Sequence, residues 1–483
     1  MLRISVLFFV LLTCDYAFAD ILMFLPNGSY KKLASISDAN SSAEAQGKTI
    51  IVTSLEKINE DTVLSNDRVW RFEFGGGIEQ GRYSLVINGI VDSGPYQIFS
   101  GIGKLKFGYG SIRKVLPEWF GARGDGKTDC TMSFQKAAES LKTTGGGIIE
   151  ISGASKYYLA SRLEIGPRVS VKGPHDFIGS PGNNSSANYG ENGGALLVSS
   201  KATIVLKSGS GLSGLLIYRS NMSFPAVDSS AFAGTAITCG GDDIFVSKCM
   251  ILGFNKAFYS NGFQRPRIDY LWGDNNSGIE IVNCLDIPYI SNCHMWPFAT
   301  IASSPKRDKW ADRPGPAYFI HDTVDWAKFL NCFSYGYSEG FTVLNANSAT
   351  LISCGVDGTK KMQGTIGFNI RGTSTDTKLI ACQAAAQDTG YLIDTGPGRT
   401  TILDSCSAWG NSVGLNSRHV SVQVGDLVIN GGIFRDGITS IVVHNHQSRV
   451  MVNNARFVKN KFNSIYNLSK SNYVFENGND YID

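Results

Sequence analysis

The sequence predicts an all-β solenoid, a parallel β-helix, and three observations carry that reading. The second half repeats with a period of about 24 residues, inside the range that marks stacked repeats. Cut before its turn glycines, it falls into register as GPAYFIHDTVDWAKFLNCFSYGYSEG, GFTVLNANSATLISCGVDGTKKMQG, GTIGFNIRGTSTDTKLIACQAAAQDTG and GYLIDTGPGRTTILDSCSAWGNSVG. Each unit holds short strand-like runs broken by Gly, Asn, Asp or Ser, with no helical spacing of apolar residues, so each suits one turn of a solenoid. Cysteine recurs at one point of four successive units, at Cys332, Cys354, Cys382 and Cys406. Finally, 54 glycines in 483 residues fit one extended β body better than two or three globular domains.

The elements follow in chain order. MLR, the apolar run ISVLFFVLLT and Ala17-Phe18-Ala19 have the charge, apolar core and small-residue order of a signal peptide over residues 1–19. Cleavage after Ala19 predicts a secreted or periplasmic protein, and Thr13 before Cys14 argues against a lipid anchor. The apolar run is shorter than the ~20 residues of a membrane span. A net charge of +3 without a long basic block indicates neither nucleic acid nor a membrane surface. Residues 20–115 read as an amino-terminal cap with the first rungs, including a capping helix over Asp38–Gln46, and 116–483 as the main β-helix.

Within the main body, VLPEWFGARGDGKTDCTMSFQKAAESLKTTGGGIIEIS is the most specific stretch. A Gly-rich turn leads to Asp129 as a helix N-cap, and a short amphipathic helix carries Phe134, Ala137, Ala138 and Leu141. Gly145-Gly146-Gly147 then feeds a strand. Neither GDG nor this glycine cluster has the spacing of a phosphate-binding loop. Together with RVWRFEFGGGIEQG and GPYQIFSG, the stretch resembles the opening of pectate-lyase-like right-handed parallel β-helix proteins, the superfamily of phage tailspike and bacterial polysaccharide depolymerases. Cys130 departs from that pattern, which commonly has a second acidic residue there. The resemblance implies a right-handed β-helix acting on polysaccharide, and it leaves the reaction open because one scaffold carries hydrolases, lyases, epimerases and inactive binders. It also raises a homotrimer, although SNYVFENGNDYID reads as a last rung with no added trimerisation domain.

The nine cysteines after the signal are odd in number and spread along the chain, which argues against a disulfide framework. Stacked at the strand spacing of roughly 4.8 Å, they form an internal ladder, with Cys293 one rung before Cys332 and Cys249 one before that. No CxxC pair occurs and ligands at one point of successive rungs make a line, so no metal is expected. No cofactor is expected either.

The ladder also sets facing direction. If each cysteine points inward, residues one and three later point outward. The row three positions on reads Trp296, Tyr335, Asp357, Ala385, Trp409 and Phe434, an aromatic wall with a carboxylate in it, as a sugar chain requires. The rung 278–314 is longer than its neighbours, and a loop insertion around 296–314 brings Lys306, Arg307, Asp308, Trp310, Asp312 and Arg313 beside the wall, suited to an acidic polysaccharide.

Glycoside hydrolysis needs two flanking carboxylates. Asp357 and Glu339, on adjacent rungs, are one candidate pair. Asp322 and Asp325 in HDTVDW are the other, with Asp325 stacked over Asp286. The competing lyase reading needs a base and a cation, for which His321, Tyr337, Lys306 and Arg307 serve. Trp296, Tyr335, Tyr337, Trp409, Lys306, Arg307, Trp310, Arg313 and His321 form the expected substrate-binding set. Asp242-Asp243 stands without the rest of a polygalacturonase pattern. His175, His419, His444 and His446 read as surface or turn residues. The expected function is cleavage of a bacterial surface or matrix polysaccharide by an endo-glycosidase. A polysaccharide lyase and a non-catalytic polysaccharide-binding or secretion-assisting protein are the alternatives.

Overall fold

The computed structural model describes residues 21–482 except 154, 176–193, 225, 227, 301–312, 360–363, 411–417 and 471–472. The expected signal peptide, and Lys306, Arg307, Asp308, Trp310 and Asp312, therefore lie outside the described residues. These divide into two compact units, one of residues up to Ile112 with Glu118–Gly121, the other of Arg113–Pro117 with Ala122 onward.

The first unit holds one five-stranded and two three-stranded sheets. Its short helix α1, Ile36–Ser41, starts at Ser35, whose side chain accepts from the Asp38 N–H. A 3-10 turn, Ala43–Ala45, follows where a longer helix was expected.

The second unit is the right-handed parallel solenoid. Helix α2, Thr131–Ser140, buries Phe134, Ala137 and Ala138. Asp129 accepts from the Thr131 N–H and hydroxyl and from the Ala160 N–H, one residue ahead of its expected cap position, because Cys130 takes the N-cap place. A 26-stranded and a 12-stranded sheet run along the solenoid, paired in parallel from rung to rung.

The longer ladder bends once per rung. Lys248, Tyr270, Asn292, Asn331, Ser353, Ala381, Ser405 and Asn454 all hold positive φ between 51 and 56°, and Gly431 takes the same place. A single left-handed residue turns the strand through a corner, which favours Asn and Gly but is tolerated elsewhere because the neighbouring rungs fix it. Asn331 also donates to Asn292 Oδ1 at 3.1 Å along this corner.

The residue after each corner points inward. Cys293, Cys332, Cys354, Cys382 and Cys406 stack there, and all nine cysteines described are unbonded and buried. Leu271 stands between Cys249 and Cys293, since Cys249 pairs with Leu271 and Trp272 with His294. Cys249 thus lies two rungs before Cys293 rather than one. Opposite the thiols runs an aromatic stack, Tyr318–Phe341–Phe368–Tyr391, with centroids 4.4, 5.1 and 5.0 Å apart. Its two end hydroxyls donate to main-chain carbonyls, Tyr318 to Cys293 and Phe333, Tyr391 to Cys382 and Ser407. The interior is close-packed to the point that some positions admit only glycine: a Cβ on Gly340 would lie 2.5 Å from Val356. Gly340, Gly367 and Gly390 stack at that point, and His419 takes the place on the next rung.

Candidate functional site

The residues three after each cysteine face outward and pair directly, Tyr335 with Asp357, Asp357 with Ala385, Ala385 with Trp409. The row continues to Arg435, not Phe434. Gly431 and Gly432 occupy the corner and the ladder position, so Phe434 points inward and stacks on Phe457 at 5.5 Å.

The row one after each cysteine also faces outward, giving Trp272, His294, Phe333, Gly355, Gln383 and Ser407. These residues were legible by the same ruler and belong to the wall. Gly355 has a steric reason: a Cβ there would meet the Phe333 ring at 2.9 Å. The ring can therefore lie over the next rung.

The upstream part of the wall is covered. Phe298 and Ala299 join Tyr218, Phe232, Met250 and Leu252 in an apolar cluster outside the solenoid, with Trp272 and Trp296 packed partly into it. Trp272 stacks on Phe298 at 5.3 Å, and Trp296 tilts against Phe298 at 5.2 Å and Tyr335 at 6.2 Å. His294 lies among these rings, and burial pushes its imidazole down to about 4. Beneath the covering segment, Asp274 is wholly buried and accepts from the Ala299 N–H at 2.8 Å and from Arg313 at 2.6 and 2.9 Å. Arg313 also donates to Thr300 at 3.1 Å. The expectation that Arg313 meets substrate is thereby corrected: its guanidinium is fully buried and balances Asp274. Tyr337 is corrected likewise, being 2% exposed with its hydroxyl accepting from the Asn275 N–H.

Downstream the wall is partly exposed among the described residues. Tyr335, Asp357 and Trp409 are half-buried and form its surface, with Arg435 placed 5.4 Å over the Trp409 ring. Burial pushes the Asp357 carboxyl up to about 6, against a hydrogen bond from the Gly358 N–H. No carboxylate or cation pairs with it among the described residues. Glu339 lies four residues beyond Tyr335, past the corner that leads into the 12-stranded sheet. One of its oxygens accepts from Thr342 and, at 3.0 Å, from Asn369, while Arg371 stands 3.8 Å away. Chain reach and rung spacing keep the Asp357 and Glu339 Cα atoms within about 15 Å of each other.

The other carboxylates are elsewhere. Asp325 pairs with Asn347 and Glu339 with Pro316 on the same ladder, which sets Asp325 roughly 25 Å along the strands from the Glu339 end. Asp325 accepts from Asn347 at 3.0 Å, and Asp286 on the preceding rung pairs with Arg265 at 2.5 Å. His321 sits between Asp322 at 2.8 Å and Glu280 at 3.4 Å, with Phe319 stacked on its ring at 4.1 Å. The hydrogen bond to His321 holds the Asp322 carboxyl below its ordinary value. Asp242 and Asp243 hold a turn, through Gln264 and Arg265 respectively. His419 is corrected from surface to core, at 2% exposure. Among the described residues no group of three metal-ligating side chains occurs, and no helix is long and apolar enough to cross a membrane.

No protein-family profile and no curated protein matches the sequence. Solved structures do. PfbA, a surface adhesin of Streptococcus pneumoniae, aligns over 73% of this chain and 91% of its own at 10% identity and a TM-score of 0.50. The catalytic unit of a GH87 α-1,3-glucanase from Streptomyces thermodiastaticus aligns over 76% and 68% at 13% identity and 0.47. A tailspike protein mutant of E. coli bacteriophage HK620, in complex with pentasaccharide, aligns over 71% of each chain at 10% identity and 0.47. These likenesses show the fold, a right-handed parallel β-helix.

Proposed function

We propose that this is an exported endo-glycosidase that cleaves a bacterial surface or matrix polysaccharide along the partly exposed stretch of the wall. The observation that carries the reading is Asp357, a half-buried carboxyl between Tyr335 and Trp409 whose proton is retained to about pH 6. Sugar rings stack on the two aromatic faces, and Asp357 between them protonates the glycosidic oxygen as the bond breaks. Glu339 supplies the second carboxylate: Thr342 and Asn369 fix one oxygen, and the other attacks the sugar or activates water according to the separation the substrate finds. The lyase reading loses support, because Tyr337 lies in the interior and His321 is engaged by two carboxylates.

The test is the pH dependence of turnover. A protonated acid is required, so kcat/KM should fall as pH rises through about 6, with Asp357→Asn abolishing turnover and leaving binding intact. An unchanged alkaline limb in Asp357→Asn would refute the assignment.

A further inference from the structure

A second surface feature lies on the far corner of the solenoid, where the 12-stranded sheet hands over to the longer ladder. Trp326 is 57% exposed there at a φ of 58°. Bulky residues rarely adopt that backbone conformation. Opposite it on the preceding rung, Leu285, Ile287 and Tyr289 are also exposed, at 58, 44 and 38%. Register places them together, since the Asp325 N–H bonds the Cys284 carbonyl and Lys328 pairs with Tyr289. Four large apolar side chains in two adjoining rungs form a patch of the kind that marks binding.

Its polar rim is cationic. Lys328 stands 5.4 Å over the Trp326 ring and donates to Thr350 at 3.0 Å. Lys378 follows in the same outward row, Lys328–Thr350–Lys378, two rungs or about 10 Å on. Burial and the charge on Lys378 hold the Lys328 ammonium below its ordinary value. Neither lysine has a carboxylate partner among the described residues. Of the carboxylates nearby, Asp286 is engaged by Arg265 at 2.5 Å, Asp325 accepts from the Asn347 amide at 3.0 Å, and Asp376 stands at the corner two rungs on from Trp326, two residues before Lys378. Two uncompensated cations beside an exposed indole ask for an anion that also carries a flat apolar face.

We propose that Trp326, Tyr289, Lys328 and Lys378 form a second binding site, separate from the wall, for an acidic saccharide. A pyranose face rests on Trp326, and a uronate carboxylate or sugar sulfate lies along the Lys328–Lys378 row. Because that row follows the solenoid axis, a linear glycan lies lengthwise on it.

The test measures binding of oligogalacturonate and of dextran oligosaccharides of equal length to the full chain in the Asp357→Asn background, by calorimetry at low and high salt. Oligogalacturonate should bind and weaken with salt, and dextran should not bind at this site. Trp326→Ala, and separately Lys328→Gln with Lys378→Gln, should each weaken oligogalacturonate binding roughly tenfold or more, the loss expected of one anchoring group. Unchanged affinity in both variants, or equal affinity for dextran, would overturn the site. So would a concentration-dependent dimer that Trp326→Ala dissolves without any saccharide binding, which would make the patch a protein interface.

Discussion

Replacing His419 by leucine should flatten the acid side of the stability profile. The imidazole lies inside the solenoid, at the position that glycine holds on the three preceding rungs, and Gly437 makes room for it: a Cβ there would lie 2.4 Å from Nε2. Burial lowers the ring from 6.5 to about 4, outweighing the Arg435 carbonyl and Asp436, which favour the charged form. The unfolded ring therefore takes up a proton before the folded one does. Its contribution to stability is fully present above pH 6.5 and is lost as pH falls through about 4. The interval corresponds to roughly 3 kcal/mol. Denaturant titrations at a series of pH values should show that loss in the parent chain and a much shallower one in His419→Leu, the remainder coming from residues such as His294 and the carboxylates. Equal slopes in the two proteins between pH 6.5 and 4 would refute the placement of a neutral, buried His419.

Removing Arg313 alone should be costly. Arg313→Met leaves Asp274 buried and uncompensated, for an expected loss of about 3–5 kcal/mol, whereas Asp274→Asn with Arg313→Met should recover part of it; a double-mutant cycle measured by thermal unfolding decides. The ladder thiols should be inert in the folded protein. Burial pushes Cys249 up to about 12 and holds Cys332 and Cys354 well above the ordinary thiol value, so a thiol reagent should label them only as the chain unfolds, read by mass spectrometry along a denaturant series. Gly437→Ala should destabilise by about 1–3 kcal/mol through its clash with His419, and the loss should be relieved in His419→Ala.

Much of the fold was legible because a solenoid writes its geometry once per rung. The cysteine at a fixed point of each repeat gave the inward direction, and from it the outward row through Tyr335, Asp357 and Trp409. The same count slipped where the repeat changed chemistry: Leu271 replaces a thiol and hides a rung, and two glycines shift the frame so that Arg435, not Phe434, follows Trp409 in the row. Periodicity also reports which way a side chain points and nothing about what covers it. Asp274 faces outward by register, yet Ala299 and Arg313, 25 and 39 positions away in sequence, enclose it. Arg313, read from its charge as a sugar contact, is the counter-ion that this enclosure demands. Trp326 was passed over since it stands at a turn, off the strand alternation that guided the search.

The most direct test of the central claim is product analysis. The protein and its Asp357→Asn variant are incubated with a panel of neutral and acidic bacterial exopolysaccharides, and new reducing ends and unsaturated uronic products are recorded together. Hydrolysis on the Asp357 wall predicts reducing ends without unsaturation, present with the parent protein and absent with the variant. Unsaturated ends, or equal cleavage by both proteins, would contradict it.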